Sequence, residues 1–420
     1  MTVNLDKYRL FVFACILCAT QSVDAAKIFV KHGKKGVILS AIASAFAGDT
    51  IIVGPGHYKE GNISITKPLR LIGKGQPILD GEYKVELITI TANDVTVSGF
   101  RLEHTAVGSM EDYAAIRILS SDRVIIENNE GNQNFFGFHF SKSSDCIVRN
   151  NHLKNQPDPS GQLGNGIHLW KCKKFNIEGN KIEGHRDGIY FEFVTASSIT
   201  RNYSLNNMRY GLHFMFSHDN RYIDNRFENN GAGVAVMYSA RVIMIGNRFE
   251  KNWGPSAYGL LLKDIRDSEV RDNLFDRNTA GIYMEGSSRM IFSQNQFANN
   301  GWAVRIQASC DDNTFEKSNF FSNTFDVSTN GSLVLNRFDG NYWDRYEGYD
   351  LNRDGKGDIP FHPMNFFSMV VERMPTLMFL WRSFFVQMLD RAEKIIPVLT
   401  PEALRDNYPS IKPYDLLKSN

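Results

Sequence analysis

The sequence predicts an all-β protein, a right-handed parallel β-helix with coils of about 22 residues. Two repeating signals predict this fold. Glycine followed by an apolar run recurs from Gly166 to Gly281, then at Ala303, at intervals of 22, 23, 22, 26, 22 and 22 residues. Asparagine recurs in step from Asn180 to Asn295. Repeats of this length indicate a solenoid whose coils must stack to bury an apolar face.

Each coil contains a short strand directly after the repeated glycine, and side chains alternate between the two faces of a strand. The first and third residues after the glycine are apolar, as in Leu212 and Phe214, and are expected to point inward. Asparagine and glycine are expected at corners, where a positive φ is tolerated. Because 22 residues leave no room for a helix, the connections predict a parallel β-helix, right-handed by the usual rule.

The two ends of the repeat region carry different signals. Residues 1–26 have the charged, apolar and small-residue order of a secretory signal. Residues 37–47 suit an amphipathic helix that caps the first coil, which is expected to begin at Gly48. The repeat fades after about residue 325 and is followed by a loop (340–363) and a helix (364–398). The predicted organisation is therefore a signal (1–26), a β-helix (27–340) and a C-terminal loop with a helical tail (341–420).

Composition restricts the partners and the compartment. The chain has 47 basic and 46 acidic residues and a net charge of +1, which gives no footprint for nucleic acid and no attraction to an anionic membrane. With the signal, this predicts a soluble periplasmic protein. Cys146, Cys172 and Cys310 remain after the signal, so at least one thiol is unpaired. Cys146 is expected in the core, and a Cys146–Cys172 disulfide remains open.

The outward columns of the repeat suggest a soft-metal site. Met215 and Met237 are expected side by side on adjacent coils, with His213 on the same face and His218 just past the corner. Thioether sulfur and imidazole are suitable ligands for Cu(I). The alternative is an ordinary apolar surface, or a patch covered by a partner. His139 and His168 lie in the same column as His213; they are expected to be solvated surface histidines, and the alternative is a second cluster.

A second cation site is possible in the C-terminal loop. Oxygen-bearing side chains alternate there as in the first nine positions of an EF-hand loop, but the twelfth position is Phe361 instead of a bidentate glutamate. A weak calcium site and a plain Asx-rich turn both remain open. The candidate ligands are Asp350, Asn352, Asp354 and Asp358.

The predicted C-terminal helix is apolar almost all round and contains five of the 13 methionines within residues 364–388. It either packs on the solenoid or docks a partner, and docking is the favoured interpretation. The candidate docking residues are Met374, Met378, Trp381, Phe384, Phe385 and Met388.

An enzyme acting on polyuronates, either a lyase or an epimerase, is the alternative function. Such a site needs carboxylates for Ca²⁺ or a basic residue beside a groove. No stacked set of aspartates lies on an outward column, and Lys263 and Glu285 are expected to form a simple ion pair. A non-enzymatic role is therefore favoured. The candidates for the alternative are His185, Arg186, Asp187, Glu192, Tyr210 and His213.

Four segments give the chain a resemblance to the NosD family. They are 258–264 (YGLLLKD), 330–344 (NGSLVLNRFDGNYWD), 346–350 (YEGYD) and 382–390 (RSFFVQMLD). The resemblance implies a periplasmic β-helix protein without catalytic residues that works with an ABC transporter made of an ATPase and a permease. It further implies that Cu(I) comes from a copper-chaperone lipoprotein and serves assembly of the copper–sulfide centre of nitrous oxide reductase. The membrane is then reached only through the transporter, with the Met-rich tail as the docking element.

Overall fold

The computed structural model describes residues 25–108, 110–156, 162–331, 335–395 and 404–416. The predicted signal, residues 1–26, lies outside this part of the chain except for its last two residues. Three parallel sheets of 14, 13 and 12 strands form the walls of a solenoid within the described residues. Each coil contributes one strand to each sheet, so the predicted parallel β-helix is confirmed.

The strand bounds follow, sheet by sheet. Sheet 1 contains Lys27–Val30, Thr50–Val53, Arg70–Gly73, Thr96–Ser98, Ile125–Glu127, Ile147–Arg149, Asn176–Glu178, Ser198–Thr200, Arg221–Ile223, Ile243–Ile245, Glu269–Arg271, Ile291–Ser293, Asp311–Glu316 and Leu335–Asp339. Sheet 2 contains His57–Tyr58, Ile78–Asp80, Arg101–Glu103, Glu130–Asn132, His152–Lys154, Lys181–Glu183, Tyr203–Leu205, Arg226–Glu228, Arg248–Glu250, Leu274–Asp276, Gln296–Ala298, Asn319–Phe321 and Tyr342–Trp343. Sheet 3 contains Ile63–Ile65, Ile88–Ile90, Ala114–Leu119, Phe136–Ser141, Ile167–Trp170, Ile189–Glu192, Tyr210–Met215, Ala232–Met237, Tyr258–Lys263, Ala280–Glu285, Trp302–Ile306 and Phe325–Thr329.

The core is a set of aligned columns, because each strand pairs in register with its equivalent one coil later. Phe227, Phe249, Phe275 and Phe297 stack in one such column of sheet 2, with ring centroids 5.6, 4.6 and 4.9 Å apart. All four rings are fully buried. Aligned aromatic pairs add to the stabilisation that burial of apolar area supplies. The inward columns predicted from the repeat are therefore the core.

Two ladders of buried asparagines connect the coils. At the corner between sheets 1 and 2, the amide of Asn225 donates to Asn247, and that of Asn247 donates to Asn273, each at 3.0 Å. A second ladder at the corner between sheets 2 and 3 runs through Asn230 and Asn252, and the sequence analysis missed it. Its signal was present as repeated asparagine pairs. Buried amides of this kind satisfy backbone groups that a corner leaves free of sheet bonds.

The corner residues differ from the prediction in their backbone conformation. The ladder asparagines do not adopt a positive φ; the residue before each of them does, such as Asp224 (55°) before Asn225. The repeated glycines are needed for space. A Cβ on Gly233 would lie 2.4 Å from the carbonyl oxygen of Gly259 on the next coil. Close packing between coils therefore selects glycine at this position.

The N-terminal end is closed as predicted, by helix α1 (Val37–Ser44), which buries Ile38, Ala41 and Ile42. The first coil begins earlier than Gly48, because strand Lys27–Val30 pairs with Thr50–Val53. The repeat also continues past residue 325, as far as Tyr342–Trp343. Apolar side chains at inward positions sustain it there even though the glycine is lost.

The asparagine ladder between sheets 1 and 2 ends at a buried aspartate of the C-terminal segment, Asp406, which binds the last asparagine, Asn341. Asp406 accepts hydrogen bonds from the backbone of Gly340 and Asn341 at 2.9 and 2.7 Å, and from the Trp343 indole at 3.2 Å. Leu404 and Met364 complete the core beside it. The C-terminal segment is therefore a cap for the last coil.

The predicted helix over 364–398 is broken into three parts: α2 (Phe366–Arg373), a 3₁₀ helix (Pro375–Leu380) and α3 (Phe384–Ile395). Pro375 lacks an N–H and ends α2, and Arg382 has a positive φ of 66° before α3. Residues 396–398 lie outside the described part of the chain. None of the described helices is long and apolar enough to span a membrane.

Helix α2 packs on the outer face of sheet 3. Arg305 and Glu372 form a bidentate ion pair, with Nη2–Oε1 and Nε–Oε2 distances of 2.7 and 3.1 Å. The rings of Phe325, Phe367 and Trp381 form an apolar cluster beside it. One face of the tail is thus fixed to the last two coils.

The three cysteines are free thiols and are buried, so the open possibility of a Cys146–Cys172 disulfide is not realised in the structure. Burial raises the pKa of Cys146 and Cys172 to about 12. Neither thiolate forms readily near neutral pH, which fits a role in the core and excludes a reactive thiol.

Candidate functional site

Met215 and Met237 are neighbours on the outer face of sheet 3. Their strands, Tyr210–Met215 and Ala232–Met237, pair in parallel, and the two methionines are direct partners in the register. Both side chains are half-buried, whereas Phe214 and Val236 beside them are fully buried and point inward. The alternation of a strand therefore places both thioethers outside, on adjacent coils, as the repeat predicted.

His213 lies on the same face as Met215, one pleat away, but it is buried rather than exposed. Its Nδ1 lies 3.5 Å from Oδ2 of Asp187, a carboxylate with no solvent exposure, and 3.3 Å from Nη2 of Arg209. Arg209 also donates to the same Asp187 oxygen at 3.1 Å. A guanidinium can only donate, so the contact with Arg209 makes Nδ1 the acceptor and places the ring proton on Nε2. This Nε2 is buried and has no hydrogen-bond partner among the described residues.

His218 has a different environment from the other three candidates. Its Nδ1 accepts a hydrogen bond of 3.1 Å from the backbone N–H of Ala240, one coil later. Only Nε2 of its half-buried ring remains for a ligand. His218 lies beyond the corner, three residues after Met215, so the structure does not place it on the strand that carries the methionine.

Charged residues border the methionine pair in its own column. Glu192 is the register partner of Met215 on one side, and Lys263 is the partner of Met237 on the other. The predicted ion pair between Lys263 and Glu285 is present, at 3.3 Å. The methionines thus form a soft, uncharged patch between a carboxylate and an ion pair.

An exposed aromatic stack adjoins the methionines and was missed in the sequence analysis. Phe193, Phe216 and Tyr238 occupy one corner position on three successive coils, with ring centroids 5.2 and 5.0 Å apart and planes nearly parallel. They are 43, 38 and 38% exposed and have positive φ values of 55, 50 and 52°. The same corner position has a positive φ on neighbouring coils, at Lys142, Lys171 and Asp264, so the conformation belongs to the corner. A row of exposed aromatic rings on three successive coils is a candidate contact surface.

The expectation that His139 and His168 are solvated is wrong. Both are half-buried, and desolvation lowers the pKa of His139 to about 4 and that of His168 to about 3. His139 Nδ1 and His168 Nε2 are buried without a hydrogen-bond partner among the described residues. The Phe136 ring packs against both imidazoles, a contact that the strand pattern does not reveal. An unsatisfied buried polar atom costs about 1–3 kcal/mol, so two adjacent ones need an explanation.

The predicted calcium loop is exposed and is organised by backbone contacts. Asp350 accepts from the N–H groups of Asp354 and Gly355 at 3.1 and 2.9 Å, and Asp358 accepts from that of Leu351 at 2.7 Å. Asn352 likewise accepts from Asp354. These are the contacts of an Asx-rich turn. The described residues contain no group of three His, Cys, Asp or Glu side chains that could hold a metal, so calcium binding stays a prediction.

The predicted docking residues of the tail separate into two groups. Met378 and Trp381 pack on the cluster around Phe325 and Phe367 and hold the tail on sheet 3. The others are exposed; these are Met374, Phe384, Phe385 and Met388. Part of the tail therefore packs on the solenoid, and docking of a partner by its exposed residues stays a prediction.

The candidates for a polyuronate enzyme do not form an open site. His185 and Asp187 are buried, and desolvation lowers the pKa of His185 to about 4. Arg186, Glu192 and Tyr210 are half-buried. A general base must reach its substrate, and the two most promising members of this set are enclosed.

The fold is a parallel β-helix, and one of its outer walls carries thioether and imidazole side chains together. The class of protein is therefore a β-helix with candidate soft-metal ligands on its surface. Residues 155–348 match the family model described as "Periplasmic copper-binding protein (NosD)". The predicted resemblance to the NosD family is therefore confirmed. The matched region contains both methionines and His213.

Two relatives support the same assignment over a longer stretch. The "Probable ABC transporter binding protein NosD" of Pseudomonas aeruginosa is 28% identical over 388 residues, covering 85% of this chain and 87% of the relative. The protein of the same name from Stutzerimonas stutzeri is 27% identical over 379 residues, covering 85% of each chain. Among solved structures, the catalytic unit of an α-1,3-glucanase from Streptomyces thermodiastaticus superposes with a TM-score of 0.60 at 13% identity, covering 76% of this chain and 68% of that chain. That likeness shows the shared fold alone.

Proposed function

We propose that the protein is a non-enzymatic periplasmic accessory protein that accepts Cu(I) and relays it for assembly of the copper–sulfide centre of nitrous oxide reductase. In this proposal it receives Cu(I) from a copper-chaperone lipoprotein and works with the permease and ATPase of an ABC transporter. The description of the matching family and the names of the relatives support the copper and transporter parts.

One observation carries the proposal, namely the register that makes Met215 and Met237 direct neighbours on adjacent coils. Two thioethers provide soft, neutral donors, and His213 Nε2, which has no partner among the described residues, becomes a third donor when the ring proton moves to Nδ1. Asp187 lies 3.5 Å from Nδ1 and would accept that proton's hydrogen bond once Arg209 turns away.

The arrangement favours transfer over storage. Both methionines are accessible from solvent, and neutral ligands leave the ion only weakly held compared with thiolates. The exposed stack of Phe193, Phe216 and Tyr238 lies at the edge of the same patch. A donor or acceptor protein that packs on these rings would bring its own ligands next to the thioethers, so that Cu(I) moves by ligand exchange.

The first test replaces both methionines. We expect a Met215→Leu/Met237→Leu variant to bind Cu(I) at least about tenfold more weakly, because leucine keeps the apolar volume and removes both sulfur donors. The measurement is an anaerobic competition titration against a chromophoric Cu(I) chelator. The far-UV spectrum should be unchanged.

Buried methionines of the same chain supply the matched control. Met244 and Met284 point into the core, so a Met244→Leu/Met284→Leu variant should keep the Cu(I) affinity of the unmodified protein. Equal affinities in the two double variants would contradict the proposed site. Turnover of polyuronate by the purified protein would instead support the carbohydrate-active alternative.

The exposed face of the tail is the proposed contact with the transporter. Phe384 and Phe385 are 77 and 61% exposed, and neither contributes to the clusters that hold the tail on sheet 3. A Phe384→Ser/Phe385→Ser variant should bind the detergent-solubilised ATPase–permease pair of the same organism at least about tenfold more weakly, since exposed aromatic anchors dominate such interfaces. Surface-immobilised transporter gives the affinity.

The control for this variant removes an equally exposed ring at the opposite end of the solenoid. Phe46 is 74% exposed, and Phe46→Ser should leave the transporter affinity unchanged. Full affinity of the Phe384→Ser/Phe385→Ser variant would exclude this face as the docking element.

A further inference from the structure

Four rings form one continuous column on the outer wall of sheet 3. His139, His168, Tyr190 and His213 are register partners on four successive coils, with ring centroids 4.7, 4.8 and 4.9 Å apart. His213 belongs to the copper surface proposed above. His139 and His168 lie at the other end of the column, separated from His213 by Tyr190, so they make up a distinct pair.

The pair has two properties of a metal site. The two rings are half-buried and meet edge to face, with centroids 4.7 Å apart. Each ring also has one buried nitrogen without a hydrogen-bond partner in the described part of the chain, Nδ1 of His139 and Nε2 of His168. A core histidine normally has both nitrogens satisfied or one exposed, and two adjacent exceptions point to a missing partner.

The surroundings are largely aromatic. The Phe136 ring lies 5.9 Å from His139 and 5.7 Å from His168, and Tyr190 packs on His168 from the next coil. Arg117 is the register partner of His139 on the other side, and its guanidinium is paired with Glu86 at 2.6 Å. Arg186 lies on the His168 side and donates to Asn165 at 3.2 Å. Both cations disfavour added positive charge at the pair, so a monovalent ion is favoured over a divalent one.

We propose that His139 and His168 form a second Cu(I) site, in which one imidazole nitrogen from each ring binds the ion. The identity of the ion rests on the proposed function, whereas the site itself rests on the two unpartnered nitrogens. Neutral imidazoles are suitable ligands for copper, and a monovalent d¹⁰ ion accepts two ligands. Divalent ions such as Mg²⁺ or Ca²⁺ need a shell of oxygen ligands, which this aromatic environment does not supply.

The contact between Asn165 and His168 affects which ring nitrogen of His168 carries the proton. The amide Nδ2 of Asn165 lies 3.4 Å from His168 Nδ1, and its Oδ1 accepts from Arg186 Nε at 3.2 Å. Binding at Nε2 requires the His168 proton to be on Nδ1, facing the asparagine. An acceptor at position 165 would favour that tautomer. Asn165→Asp is therefore expected to tighten Cu(I) binding at the pair by about tenfold.

The experiment uses the full mature protein and two probes, Cu(I) for stoichiometry and Ag(I) as a redox-inert analogue. A His139→Gln/His168→Gln variant should bind about one equivalent less of Cu(I) than the unmodified protein. With ¹⁵N-labelled histidine, Ag(I) should shift the ring nitrogens of His139 and His168 in the unmodified protein. Because glutamine could disturb the aromatic column, His139→Phe/His168→Phe provides a second variant that keeps the stacking and should lose the same equivalent.

The outcomes separate this site from the proposed one. If the histidine variants keep full stoichiometry and the labelled nitrogens do not shift, the pair holds no metal and the inference is overturned. If the Met215→Leu/Met237→Leu variant loses all bound copper and the histidine variants lose none, the inference is also overturned. The proposed function then stands. Loss of all copper in the histidine variants alone supports the pair and overturns the methionine site. Weaker binding in Asn165→Asp would exclude Nε2 of His168 as the ligand.

Discussion

Replacing Asn247 with alanine is expected to lower the free energy of unfolding by about 4 kcal/mol, because the buried N–H of Asn225 loses its partner and three further hydrogen bonds of the ladder are lost. The Asn247 side chain accepts from the backbone N–H and the side-chain amide of Asn225, each at 3.0 Å. It donates to the carbonyl of Tyr222 at 2.9 Å and to Asn273 at 3.0 Å, and it has no solvent exposure. Chemical denaturation gives the stability, and hydrogen exchange of the Asn225 amide reports the local effect.

The same substitution at the surface should cost far less. Asn62 is exposed and accepts one hydrogen bond, from Thr89 at 3.0 Å, so Asn62→Ala should change stability by less than about 1 kcal/mol. Because stability in a solenoid is transmitted between neighbouring coils, the effect of Asn247→Ala should be greatest around residues 222–275. Equal destabilisation by the two variants would show that the ladder contributes nothing beyond an ordinary surface hydrogen bond.

Replacing Arg305 with methionine is expected to weaken the packing of helix α2 on sheet 3 by about 3–5 kcal/mol, since it leaves a buried carboxylate without its cation. The Glu372 side chain is 5% exposed, and among the described residues Ser328 and Gln307 would remain to contact it, at 3.2 and 3.4 Å. Hydrogen exchange in α2 measures the packing. Proteolysis next to Pro375 should become faster in the variant.

Two further variants distinguish loss of charge pairing from loss of packing. Arg305→Met/Glu372→Leu removes both charges and should restore most of the protection of α2, because well-packed apolar residues can replace a buried pair. Lys263→Met breaks an exposed pair and should cost less than about 1 kcal/mol. If the amides of α2 exchange as slowly in the Arg305→Met variant as in the unmodified chain, the ion pair does not hold the tail.

The candidate site could be predicted in part because a solenoid converts sequence spacing into spatial contact. The interval of 22 residues between Met215 and Met237 equals one coil, so their adjacency follows from the repeat. The same reasoning placed Phe227 above Phe249. What the interval could not give was the state of each side chain: His213 is buried, and its contact with Asp187 comes from a non-repeating residue.

The sequence by itself determined the coil, its inward columns and which residues share a wall, because these depend only on periodic contacts between neighbouring coils. The tertiary structure decided what covers the walls and the ends. Arg305 and Glu372 are 67 residues apart, and Asn341 and Asp406 are 65 apart, with no period connecting them. Such contacts form where a returning segment packs. Local pattern carries no information about that packing.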